Sequence, residues 1–267
     1  MGFLAQLAAE IRAVISAPDY LDAVPVSSTN VARVGLSESI RGAGESGALL
    51  VEYKRVSPGA SDPRLPRWTV PQFVRATETA GVAGYSCLAT APRFEGSPAD
   101  VAQLGRSTSR PVLFKDFVLE PVQIEAAARS GASAVLLIAR LEAEGLLGAP
   151  LSDLARLAHA RGLEVLLEFH DRSELRRSDG VSADMFGVNV RDLDTLRLER
   201  SVAEATLRAA TDLRPLLGLS GVGSPEDARR FWDAGADGVL VGSAVARSPD
   251  PAAFLRSLRR PGTGGRA

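Results

Sequence analysis

Cysteine is almost absent. Cys87 stands alone inside the apolar run from Tyr85 to Ala89, so neither a disulfide framework nor a thiol cluster for a metal can be built. Histidine is as scarce: His159 and His170 lie too far apart for a helical or hairpin ligand pair, and no metal site is expected. An excess of either charge is also missing. With 31 basic and 32 acidic residues the formal net charge is -1, which leaves no global field to recruit nucleic acid or an anionic membrane. Any anionic ligand must then be held by local groups. The N-terminal Met1-Gly-Phe-Leu-Ala-Gln-Leu has no basic leader region, and Glu10 and Arg12 interrupt its apolar run early. Neither a signal peptide nor a membrane span is expected, and a reducing cytoplasm is the expected compartment.

What is present suffices for a full core: 267 residues, 45% hydrophobic and 24% charged. Residues 3 to 17 place Phe3, Leu4, Leu7, Ile11, Val14 and Ile15 at helical spacing, ending near Pro18. Short apolar runs then alternate with helical patterns. The runs are Leu49 to Tyr53, Gly84 to Ala89, Pro111 to Phe114, Ala134 to Ala139, Glu164 to Phe169, Met185 to Val190, Pro215 to Leu219 and Gly238 to Val241. These make about eight βα units. Gly131, Gly162 and Gly235 each follow a helical run, and Ser224-Pro225-Glu226 reads as N-cap, first helical position and first-turn acid. A doubly wound open sheet would want a Gly-rich fingerprint after strand one, and Glu52-Tyr-Lys-Arg-Val-Ser is not one. The expectation is an α/β protein with a single closed (β/α)8 TIM barrel over 47–260. A helical extension, 1–46, packs on it, and a Gly-rich basic tail, 261–267, is disordered.

In such a barrel the site lies at the C-terminal ends of the strands, so the residues standing there decide the chemistry. Strand one offers Glu52 and Lys54, spaced by two and so on one face; strand two offers Ser86, and strand three Lys115. Strand five ends in Glu168 and His170, strand six in Asn189 and Arg191, strand seven in Ser220 and Gly221, strand eight in Gly242 and Ser243. Lys115 either projects into a cleft or pairs with Asp116 at an ordinary strand terminus. Lysines and glutamates converging on a partly dry mouth shift each other's proton affinity, as acid–base catalysis requires; a ring of structural ion pairs is the plain alternative. The small-residue turns Leu219-Ser-Gly-Val-Gly-Ser and Val241-Gly-Ser let backbone N–H groups approach a phosphate, and Ser57 could close that cup from strand one.

Glu52-Tyr-Lys54-Arg-Val-Ser57-Pro58, Pro111-Val-Leu-Phe-Lys115-Asp-Phe117, Gln123, Leu136-Leu-Ile, Leu167-Glu168-Phe-His170, Gly187-Val-Asn189-Val-Arg191-Asp-Leu193 and Ser220-Gly-Val together resemble the indole-3-glycerol phosphate synthase family of tryptophan biosynthesis. The resemblance spans nearly the whole chain. It implies a carbon–carbon lyase that closes the indole ring of 1-(2-carboxyphenylamino)-1-deoxyribulose 5-phosphate with loss of carbon dioxide and water, without a cofactor. It further implies that Lys115 is the general acid at the sugar carbonyl and that Lys54 acts near the anthranilate carboxylate. Glu168 would serve later proton transfers, with Glu52 and Asn189 orienting these groups. Ser57, Gly221, Gly242 and Ser243 would bind phosphate, Arg191 and Ser220 would complete the substrate set, and Phe94, Phe117 and Leu137 would wall the aromatic ring. Two departures stand out. The family's Glu-Ser-Gly after strand seven is Leu219-Ser220-Gly221 here, and its Ser-Pro-Ser-Lys-Gly after strand one is Ser57-Pro58-Gly59-Ala60-Ser61. A paralogue acting on a related aryl-amino sugar phosphate, or a weakened phosphate-binding barrel, therefore stays open. The expected partner is a small sugar phosphate, with no nucleic acid and no membrane. A monomer is expected, with a homo-oligomer left open.

Overall fold

Apolar segments without polar alternation are stable as strands only when both faces are covered, and each of the eight runs forms such a strand. The computed structural model describes residues 2–27, 34–58, 62–66, 68–178 and 180–261. Its strands are β1 (Ala48–Tyr53), β2 (Gly84–Leu88), β3 (Val112–Lys115), β4 (Ala134–Ile138), β5 (Glu164–Phe169), β6 (Met185–Asn189), β7 (Leu216–Leu219) and β8 (Gly238–Val241). All pair in parallel in sequence order, and β8 returns to β1, so the sheet closes into a (β/α)8 barrel. Its alpha-helices include α1 (Phe3–Ile15), α2 (Leu36–Arg41), α3 (Pro98–Ser107), α4 (Pro121–Arg129), α5 (Arg200–Ala209) and α6 (Pro225–Asp233). The expected tail falls outside the described residues apart from Pro261.

Side chains alternate along each strand, so one parity fills the barrel and the other meets the helices. Leu50, Leu113, Leu136, Leu166, Leu217 and Leu240 form the interior cluster. Leu49, Val112, Val135, Val165 and Val239 belong to the outer cluster, beneath the helical ring. The punctuation expected from the sequence is in place. Gly131, Gly162 and Gly235 take φ of 75°, 75° and 95°, and the Ser224 hydroxyl accepts the Asp227 N–H at 3.1 Å to cap α6.

The N-terminal extension reaches both ends of the barrel. At the mouth, α1 buries Leu4, Leu7 and Ile11 in the cluster that holds Phe117, Leu119 and Leu141. Arg12 of α1 donates to the Leu146 carbonyl at 2.6 Å, while Glu10 accepts a bidentate pair of bonds from Arg93 in the loop after β2. At the base, Ser37 of α2 donates through its N–H and hydroxyl to Glu164, the first residue of β5, at 3.1 and 2.6 Å. That contact explains a carboxylate at the foot of an otherwise apolar strand. Leu36 seats against Gly84, where a Cβ would come within 2.7 Å of its methyl group.

Candidate active site

The inward parity of the strands carries polar groups in the layer nearest the mouth, and there they meet. Lys54 Nζ lies 2.7 Å from one oxygen of Glu52, and Lys115 Nζ lies 3.5 Å from the other. One buried carboxylate thus holds two ammonium groups. Burial alone would raise the Glu52 carboxyl, but Lys54 and Lys115 overcome it and bring the group down to about 2. Burial would likewise discharge Lys115; Glu52 and Glu168 outweigh it and keep its proton affinity above the ordinary lysine value. Of the two expectations for Lys115, the strand-end pair with Asp116 is not formed. Asp116 turns away, accepting from Thr90, Gln123 and the Phe117 N–H, and Gln123 also bonds the Leu119 N–H and the Phe117 carbonyl. Those bonds fix the β3–α4 loop and so the Phe117 ring.

Glu168 is 2% exposed. Its Oε1 accepts from Asn189 Nδ2 at 2.9 Å, while Oε2 has no hydrogen-bond partner among the described residues. Burial raises its carboxyl, with Lys115 and Asn189 pulling the other way. Asn189 is fixed in turn, since its side-chain oxygen accepts the Arg191 N–H at 3.0 Å. Arg191 donates to the Leu196 carbonyl at 2.6 Å and has no ion-pair partner among the described residues. Its charge is free to meet an anion.

All of these polar side chains but those of Glu168 and the loop-fixing Asp116, Thr90 and Gln123 face a cavity of about 320 Å³, within the size range of small-molecule sites. Glu52, Lys54, Lys115, Asn189 and Arg191 line it on the charged side. Phe94 and Phe117 supply an aromatic wall, with ring centres 5.8 Å apart. Opposite them, Ser57, Ser220, Gly221, Gly242 and Ser243 line the small-residue end. There the Ser243 hydroxyl donates to Ser57 at 3.2 Å, joining the loops after β8 and β1. Ser220 and Gly221 take consecutive positive φ of 68° and 75°. A serine in that region is strained, and such strain collects at ligand sites. Gly242 leaves room for the charged cluster, because a Cβ would stand 2.9 Å from Glu52 Oε1 and force that side chain to shift. Residues 59–61 of the strand-one loop lie outside the described residues.

Glu168 sits behind Asn189, in a side recess with Ile138, Arg140, His170 and Glu174. Leu137 is a correction: it is fully buried in the outer cluster and does not line the cavity. Inward from β4 point Ala134, Leu136 and Ile138, which belong to the interior cluster. The run is apolar on both faces, so its phase could not be read from hydrophobicity. Leu219, 1% exposed, packs inside the barrel over Gly187, where a Cβ would come within 2.6 Å of its methyl group, and does not line the cavity. Sequence reasoning missed Phe3, Leu88, Leu193, Leu240, Arg200 and Asp227, which also line the cavity. Leu240 was within reach, two residues before Gly242 and on the same face.

A closed parallel barrel with a charged cavity at its C-terminal mouth defines a TIM-barrel enzyme. Solved structures agree on the fold. Tryptophan synthase subunit alpha from Legionella pneumophila str. Paris superposes with a TM-score of 0.58 at 14% identity, covering 84% of this chain and 96% of that one. Thiamine phosphate pyrophosphorylase from Pyrococcus furiosus gives 0.56 at 16%, covering 80% and 94%. Sequence goes further. Residues 3–258 match indole-3-glycerol phosphate synthase, and the chain belongs to that family, one of tryptophan biosynthesis. The indole-3-glycerol phosphate synthase of Methanopyrus kandleri is 36% identical over 229 residues, 84% of this chain and 86% of that protein. That of Desulfosudis oleivorans is 37% identical over 181 residues, 68% and 67% respectively. No helix among the described residues is long and apolar enough to cross a membrane.

Proposed function

We propose that this protein closes the indole ring of 1-(2-carboxyphenylamino)-1-deoxyribulose 5-phosphate, releasing carbon dioxide and water, in the cytoplasm and as a single extended barrel without a cofactor. The observation that carries the proposal is the Lys54–Glu52–Lys115 cluster, two ammonium groups held on one ionised carboxylate at the cavity wall. The ring carbon bearing the carboxylate attacks the sugar ketone, and the carbonyl oxygen gains negative charge. Lys115, kept protonated by its neighbours, stabilises that charge and then gives it a proton, since an alkoxide is far more basic than an amine. The carboxylate leaves as carbon dioxide, and its bonding electrons restore the aromatic ring. The new hydroxyl departs as water with an ammonium proton, and the adjacent carbon gives up its proton to Glu168. Arg191, free of an acidic partner among the described residues, suits the anthranilate carboxylate. Phe94 and Phe117 stack the ring, and the loops after β1, β7 and β8 take the phosphate.

Mixing the protein with this substrate tests the proposal. Indole fluorescence and carbon dioxide are expected to rise together, one for one. Substrate consumed without an indole product would favour action on a related aryl-amino sugar phosphate. Substrate bound and left unchanged would contradict catalysis.

A further inference from the structure

Four cations line the cavity among the described residues: Lys54 and Lys115 hold Glu52, and Arg191 donates to the Leu196 carbonyl without an ion pair. The fourth is Arg200, the first residue of α5, which borders the cavity beside Gly221. Its guanidinium lies 3.2 Å from Asp227 Oδ1. Asp227 in turn uses Oδ2 to accept the Gly223 N–H at 3.0 Å and the Ser224 hydroxyl at 3.1 Å. Both Asp227 and Gly223 line the small-residue end of the cavity. That end therefore carries a carboxylate in its own wall, occupying a backbone donor that an anion would otherwise meet. A phosphoester dianion entering there is repelled unless the carboxylate is neutralised.

We propose that Arg200 is the specificity-determining residue of this end of the cavity: it neutralises Asp227 and turns its guanidinium fork toward the incoming phosphate, while Asp227 keeps the Gly223 turn in place. The inference rests on the phosphoester substrate proposed above. The planar fork suits this role, because it presents paired donors to an oxyanion while still facing a carboxylate. The plain alternative is an ion pair on the cavity rim, for the Arg200 side chain is 45% exposed and such pairs contribute little.

The test is a double-mutant cycle read by inorganic phosphate binding and by KM. Arg200→Gln is expected to weaken phosphate at least 10-fold and to raise KM more than it lowers kcat. Arg200→Lys, which keeps the charge, should lose less. Asp227→Asn retains an acceptor for Gly223, so the turn stays capped, and the double variant Arg200→Gln/Asp227→Asn should recover most of the lost phosphate affinity because the repelling charge is gone. Phosphate bound by Arg200→Gln within two-fold of the parent, or a double variant no better than Arg200→Gln alone, overturns the role of Arg200. A parent that binds no phosphate overturns it together with the phosphoester reading of the whole site.

Discussion

Glu168 has one oxygen held by Asn189 and the other unmet among the described residues, in surroundings that raise its proton affinity. Such a carboxyl takes up its proton at a higher pH than an ordinary glutamate, and its titration should show. If it is the base of the dehydration step, activity rises as pH passes its raised value, so the acid limb of kcat/KM should sit above the ordinary 4.5. Glu168→Gln should lower kcat by about 10²-fold or more and erase that limb. Stability moves the other way. A carboxyl raised by folding contributes fully below its unfolded value and loses that contribution as pH climbs through the folded one. The neutral Glu168→Gln protein should therefore gain in melting temperature over the parent as pH rises through that folded value, as relief of a strained active-site group allows. Unchanged turnover with an unchanged acid limb would remove Glu168 from the chemistry. Glu52 has the opposite sign: its contribution is present above 4.5 and is lost as pH falls toward about 2. At this scale the sequence was informative wherever a charge broke an apolar run, as at Glu52, Lys115 and Glu168. It was silent at Leu137 and Ile138, where both parities are apolar and only the sheet register tells inside from outside.

Among the elements, the loop between β2 and α3 decides where Phe94 stands. Arg93 and Glu95 take φ of 64° and 56°, and Gly96 donates its N–H to the Thr90 carbonyl at 2.9 Å. A Cβ on Gly96 would lie 2.3 Å from the Leu88 carbonyl oxygen and 2.8 Å from that of Thr90. Backbone atoms cannot step aside as a flexible side chain can. Gly96→Ala should accordingly cost about 1 to 3 kcal/mol of stability by forcing the loop outward, with KM rising because Phe94 leaves its place beside Phe117. Thermal melts and steady-state kinetics check both parts; a variant with the parent's melting point and KM would show the loop to be soft. Long elements were legible from period and caps, as Ser224 on α6 shows. The six-residue α2 was not, because its pattern is too short to carry a helical period, and it is held at the base through Glu164.

For the molecule as a whole, closure of the barrel could be argued from eight evenly spaced apolar runs, because a parallel sheet with helices on one side and side chains on the other has few other ways to hide both faces. How the N-terminal extension engages the barrel could not be argued that way. Its path from Arg12 and Glu10 at the mouth to Ser37 at the base depends on partners more than 80 residues away in sequence. The same barrel brings Lys115 of β3 onto Glu52 of β1, beside Lys54 two residues further along the chain, and the proposed ring closure depends on that meeting. The most direct test is turnover by Lys115→Met, which removes the charge with little change of volume at a strand end, in a protein shown by circular dichroism to keep its fold. Indole formation is expected to fall by at least about 10²-fold; a folded Lys115→Met protein working within a few-fold of the parent would contradict the assignment of Lys115 and, with it, the account of how this barrel closes the ring.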